Sequence, residues 1–305
     1  MSQKIGAILS EFPFGNKKIQ VGLMLREAMF LNGVLHSSEA WHEITTTHVA
    51  QLELVDHQLM RTILSAHAKT PTEFLYLETG ALPVKYVISS RRLNYLKHIH
   101  MKSEHELVKR VFQAQRDDPK KGDWWQAVQS DLETYDINED ELKLNSKNVA
   151  KKYVKEKIYK KAFQDLKNSQ SQHSKVRDIE YEHFACQGYL KSKQFSFEES
   201  SMLVALRSKT VSNIKSNTKS FSQNDNLCPL CLKSEDTQMH CLECPKLKSM
   251  MKPTEKQIEY KQIFSKCETE QKEIASLYLV ILERRNNLLQ EGLPGTKTLD
   301  PLLYL

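Results

Sequence analysis

Long apolar runs are missing from this chain of 305 residues. No stretch approaches the ~20 residues that a membrane-spanning helix needs. The start, MSQKIGAILSEFPFG, has too short an apolar core and too early a Pro-x-Gly break for a secretory signal. Glycine and proline are scarce, nine of each, so little interrupts the apolar residues that recur at three- and four-residue intervals, and a mainly α fold is expected. Cysteine is scarce too. Of six, four fall between Cys228 and Cys244, which is no secreted disulfide framework and fits a reducing compartment where thiolates bind metal. The expectation is an intracellular protein, nuclear or cytoplasmic. A large excess of one charge is also lacking: 44 Lys and Arg against 38 Asp and Glu give +6, too mild to identify a polyanionic partner from composition alone.

What is present is helical patterning with clear punctuation. Ile19, Leu23, Met24, Phe30, Leu31 and Val34 have helix-like spacing despite Gly22 and Gly33. In THVAQLELVDHQLMRTILSAH, a stripe through Val49, Leu52, Val55 or Leu59, Met60, Ile63 and Leu64 leaves Glu53, Asp56 and Arg61 outside it. TPTEFLYLETG supplies Thr70 as N-cap, Pro71 at the first helical position, Glu73 three residues on and Gly80 as a stop. A further helix from Pro83 places Val84, Ile88, Tyr95 and Ile99 inward, with Arg91 and Arg92 breaking its apolar face. Another runs from Glu104 to Gln115, and Trp124-Trp125 opens one more.

Composition shifts near Asn138. Between Lys143 and Arg177 eleven Lys or Arg stand against Glu156 and Asp165 alone. Val154, Ile158, Ala162 and Leu166 step by four through this segment, so one face packs and another is basic. Lys151, Lys152, Lys155, Lys160 and Lys161 are the candidate phosphate contacts there. Arg207 and Lys209 join them from the acid-free stretch ALRSKTVSNIKSNTKS, which also holds Lys215 and Lys219. NSQSQHS, residues 168 to 174, reads as a linker.

The densest constellation is Cys228-x2-Cys231-x8-His240-x3-Cys244. Three thiolates and one imidazole at this spacing can close a tetrahedral Zn²⁺ shell. Cys241 can substitute for either neighbour by distance, but on a short helix His240 and Cys244 share a face while Cys241 points toward packing. Three other patterns carry less. Asp131, Glu141 and Lys143 have the order of a metal-dependent nuclease motif, yet DINEDELK reads as a helix start and not the strand such a site requires. Asp117-Asp118 reads as helix-end turn chemistry. His98, His100 and His105 share no helical face.

LREAMFLNGVLHSSEAWHEI, LELVDHQLMRTIL, TPTEFLYLETGALPVKYVISSRRLNYLKHI and KGDWWQAVQSDL, followed by ALRSK and CPLC-x8-H-x3-CP, together resemble the region behind the palm of non-LTR (LINE-type) retrotransposon reverse transcriptases. The likeness runs from about Gly15 to Leu247. It implies a multi-helix thumb and connector followed by a small zinc knuckle and C-terminal helices. It implies the same four zinc ligands, and it makes Arg26, Arg91 and Arg92 candidate contacts to a nucleic-acid backbone. The expected segments are 1–137 (thumb/connector-like), 138–178 (basic helix and linker), 179–252 (knuckle) and 253–305 (helical tail). No palm carboxylates and no endonuclease site are found in the sequence, so the expectation is a non-catalytic remnant that binds RNA or DNA, with the missing palm and fingers as a further partner and no membrane. The competing expectation is a structural or protein-interaction module in which zinc only stabilises a subdomain.

Overall fold

A computed structural model describes residues 2–11, 15–42, 44–211 and 227–291. The fold is mainly α. Among the described residues the β content is one isolated antiparallel bridge, Leu227 to Glu235, and no helix is long and apolar enough to cross a membrane. The helices are α1 (Ser2–Glu11), α2 (Lys18–Leu25), α3 (Asn32–Val34), α4 (Thr46–Leu64), α5 (Thr72–Thr79), α6 (Val84–His100), α7 (Leu107–Asp117), α8 (Trp124–Thr134), α9 (Glu139–Leu144), α10 (Lys147–Ser171), α11 (Gly188–Lys191), α12 (Phe197–Arg207), α13 (Gln238–Glu243), α14 (Pro245–Lys248) and α15 (Glu268–Glu291).

Two apolar clusters organise them. One joins α1, α2, α4 and α5 to α11 through α15, with Leu59, Phe74, Leu203 and Tyr278 fully buried. The other lies among α6 to α10, around Leu96, Trp125, Val128 and Ile158. Two helices, α6 and α10, belong to both. In α6, Val84 and Ile88 enter the first cluster while Leu93 and Leu96 enter the second. In α10, Ala150, Val154, Ile158 and Ala162 pack in the second, and Leu166 crosses to the first. The four-residue stripe read from sequence is thus the seam that ties the clusters together, and α10 packs on both α5 and α6.

Several local expectations are corrected by polar burial. Asp56 lies inside α4's packed face with no exposed surface, because Arg26 and the Tyr76 hydroxyl bind both its oxygens, while Val55 is turned outward. Thr70 does not cap α5. That helix starts at Thr72 with Pro71 before it, and the Thr70 hydroxyl instead meets the Thr210 hydroxyl at 3.1 Å. Tyr95 is only half-buried. NSQSQHS is no linker at its start: α10 continues to Ser171, and Gln170 is buried, donating to the carbonyls of Val176 and Ile179. Between α2 and α3 the segment Arg26–Leu31 forms a π-helical turn, a feature often found near functional sites.

Gly80 ends α5 as expected, at φ +63°. A second reason fixes this residue. A Cβ there would lie 2.6 Å from the backbone of Ala185 and Cys186, so the chain passes directly over the turn, where only glycine leaves room. The crossing is secured by Gln187 N–H donating to the Glu78 carbonyl at 2.8 Å.

Candidate metal centre and cationic groove

The Cys228-to-Cys244 segment folds as a turn followed by a short helix. Cys228 N–H donates to the Ser234 carbonyl and Leu232 N–H to the Cys228 carbonyl. Leu232, at φ +54°, lets the turn close. Thr237 then caps α13 by accepting from His240 N–H, which aims His240 and, one turn on, Cys244 toward the two turn cysteines. Pro245 starts α14 immediately afterwards.

The ligand atoms of Cys228, Cys231, His240 and Cys244 all lie within 4.8 Å of one another. Cys228 and Cys244 sulfurs are 3.9 Å apart, and Cys231 Sγ is 3.3 Å from His240 Nε2. Metal–sulfur bonds of about 2.3 Å and metal–nitrogen bonds of about 2.0 Å in a tetrahedron give S–S and S–N edges of about 3.8 and about 3.5 Å. The donor set therefore fits a four-coordinate ion. Among the described residues this is the one group of three or more Cys, His, Asp or Glu side chains so arranged.

The surroundings of Cys231 favour thiolate, while burial raises the Cys244 thiol. Burial alone would raise the Cys231 thiol, but backbone N–H groups of Lys233 and Ser234 and the His240 ring outweigh it and bring it to about 6. Cys241 behaves in the opposite way. It is fully buried in the first apolar cluster, and burial pushes its thiol up to about 12. It is a packing residue, as its helical position suggested. Behind the centre, α15 presents Arg285, 1% exposed, whose Nη2 donates to Asp236 Oδ2 at 2.6 Å and whose Nη1 points at Cys228 Sγ from 3.9 Å. Neither Arg285 nor Asp236 was singled out in the sequence. The available signal was the register Ile274, Tyr278, Ile281, Arg285, which puts an arginine in line with buried apolar residues.

The candidate nucleic-acid contacts divide sharply. Three are internal and cannot face a phosphate as they stand. Arg26 pairs with Asp56 at 2.6 Å, Arg92 with Asp131 at 2.7 Å and Arg207 with Glu78 at 2.9 Å, each at most 5% exposed. Desolvation drives this pairing, since a buried guanidinium needs a carboxylate beside it. Asp131 is thereby committed to Arg92 and to the Ser89 hydroxyl. Glu141 and Lys143 sit on α9, which Asn138 caps, so the nuclease-like order lies on helices. Lys209 is half-exposed beside Asp178. Lys215 and Lys219 lie outside the described residues.

The basic stripe of α10 splits by helical register. Residues one position after the buried stripe form a flank with Lys151, Lys155 and Tyr159. Lys152 and Lys160 stand on the outer ridge, and Lys161 is on the opposite flank, 3.1 Å from Asp165. Lys152 lies 3.8 Å from Glu156. Among the described residues Lys147, Lys151, Lys155 and Lys160 have no ion-pair partner.

No family model, curated protein or solved structure matches this chain. What it can bind must therefore be read from its own surface. A cavity of about 970 Å³ forms an open groove where the two apolar clusters meet. One wall is the face of α6 carrying Arg91, Asn94, Tyr95 and His98. The other is the start of α10, with Lys147, Lys151 and Tyr159, and the π turn with Arg26 and Glu27 closes one end. Arg91 is anchored there by donating to the carbonyls of Leu35 and Leu31 and the Asn32 side chain. Of the candidates, the groove brings together Arg91, Lys151 and, at its edge, Arg26. It adds Lys147, Tyr95 and His98, none of which was singled out as a binding residue.

Proposed function

We propose that the chain binds nucleic acid along the groove between α6 and α10, and that it is a binding relative of the thumb and connector region of non-LTR retrotransposon reverse transcriptases with no catalytic role of its own. The observation that carries this is a set of cations without acidic partners on a single flank of α10: Lys147 and Lys151 line the groove, and Lys155 follows them one turn on, its Nζ 5.2 Å from the centroid of the groove residue Tyr159. The placement of Lys147 runs against folding preference. Helix N-termini favour acids by about 0.3–1 kcal/mol per charge, yet the first turn of α10 has none and begins with lysine. A site for an anion explains a sequence that forgoes that stabilisation.

The metal has a different part in this reading. Its donor set of three thiolates and one imidazole matches structural zinc, and zinc is the ion proposed. Cys228 and Cys244 are fully buried in the first apolar cluster, and no residue of the Cys228–Cys244 segment lines the groove. The zinc therefore holds α13, α14 and α15 together and does not itself grip the strand. This takes over the structural half of the competing interpretation and leaves the binding to the groove.

Affinity for a 12-nucleotide RNA should fall linearly with salt on a double-logarithmic plot, with a slope of about −0.7 per neutralised phosphate on a single strand. Replacing Lys147, Lys151 and Lys155 together by Gln should flatten that slope by about two units. Replacing Lys152, Lys160 and Lys161 should change it by less than half as much. Equal slopes for both triple variants and the native chain would refute the groove as the binding surface.

A further inference from the structure

We infer that the groove receives a single unpaired strand, with the rings of Tyr95 and His98 as the platform for a base and the α10 lysines along its phosphates. This rests on the nucleic-acid reading above and adds which form of nucleic acid is bound and how.

The two sides of the groove differ in chemistry. The α10 side is cationic, whereas the α6 side offers aromatic surface. Tyr95 and His98 are stacked with centroids 6.0 Å apart and planes 19° from parallel. His98 is exposed and Tyr95 half-buried, and both line the groove. The Tyr95 ring is held from behind by the Trp124 edge at 5.7 Å, and Trp124 is itself fixed by its Nε1–H donating to the Glu39 carbonyl at 2.7 Å. The Tyr95 ring is therefore backed before any ligand arrives, which limits the ordering cost of binding. Across the groove, Tyr159 on the lysine flank is supported by Phe184, with centroids 5.6 Å apart.

Phosphates on one wall and rings on the other match the two sides of an unpaired strand, whose bases are free to leave the backbone and stack on protein. A duplex turns its bases inward and offers this wall only sugars and phosphates. The helices that form the walls also pack directly against each other, at the 8–10 Å or so usual between helix axes, so the valley between them suits one chain and not two.

The test uses the full chain with three probes: a 12-nucleotide oligouridylate, the same strand paired to its complement, and a 12-unit abasic deoxyribose-phosphate strand. The expected result is that the unpaired strand binds more tightly than both others at the same salt. His98→Leu, an exposed change, and Tyr95→Leu should each weaken it by roughly five- to one-hundred-fold, the range for loss of one base–aromatic stack. Tyr95→Phe should bind as the native chain does. Abasic binding should be unaffected by any of the three. If duplex and abasic probes bind as tightly as the unpaired strand, and His98→Leu changes nothing, the stacking inference is overturned while the backbone reading survives. If no probe binds with any salt dependence, both fall.

Discussion

Cys228→Ser is expected to reduce bound metal from one ion per chain to nearly none and to release α13 and α14 from the body of the protein. Cys228 supplies one of four donors whose mutual distances fit a tetrahedral shell. A serine hydroxyl is a poor substitute for thiolate toward a borderline-soft ion. Structural zinc contributes about 10–16 kcal/mol to folding in isolated knuckle-like peptides. Even a fraction of that is large against total stabilities of about 5–15 kcal/mol. The buried neighbourhood adds to the effect, because Arg285 faces the Cys228 sulfur and would lose the negative centre beside it. Elemental analysis and hydrogen exchange across residues 228–248 are the measurements. Cys241→Ala is the companion, and it should keep the metal while losing some packing. Metal retained in Cys228→Ser, or lost in Cys241→Ala, would contradict the ligand assignment.

Glu78→Ala should be the most damaging change away from the metal, lowering unfolding free energy by about 3–5 kcal/mol. The Glu78 carboxylate is fully buried and accepts from the Tyr181 hydroxyl at 2.6 Å, the Tyr189 hydroxyl at 2.6 Å and Arg207 Nε at 2.9 Å. Burial and the Glu78 charge hold both phenols well above their usual range. Removing the carboxylate leaves a guanidinium and two hydroxyls in the core without their acceptor. Arg207 also donates to the Ile263 carbonyl, so the damage should spread from α5 to the segment before α15. The double replacement Glu78→Leu with Arg207→Met should recover much of the loss, since well-packed apolar pairs often equal a buried ion pair. Urea unfolding of the two single variants and the double one would show the coupling. A single-variant loss below about 1 kcal/mol would mean that this network is not buried as described.

The sequence was most legible where one periodicity decides the outcome. The α10 stripe through Val154, Ile158, Ala162 and Leu166, the Gly80 stop and the four-residue metal signature need only local geometry, and each is found in place. It misled where a charged residue is paired across the fold. Arg26, Arg92 and Arg207 look like surface cations in a string of letters. Their partners Asp56, Asp131 and Glu78 are 30, 39 and 129 residues away, and nothing in local spacing pairs them. The groove was hidden for a related reason. Its walls come from α6 and α10, and Tyr95 with its helix-like spacing reads as a core residue until the neighbouring helix is known to leave it uncovered. Lys147 could have been found from sequence, since it continues the Lys151 and Lys155 flank by one four-residue step.

Lysine acetylation of the full chain, read by mass spectrometry with and without a saturating 12-nucleotide RNA, tests the binding groove most directly. Lys147, Lys151 and Lys155 should be protected by the strand. Lys160 on the outer ridge of α10, and Lys246 and Lys248 on α14, which does not line the groove, should react equally in both samples. Protection spread evenly over all exposed lysines, or bound RNA with Lys147 and Lys151 still fully reactive, would contradict the placement of nucleic acid between α6 and α10.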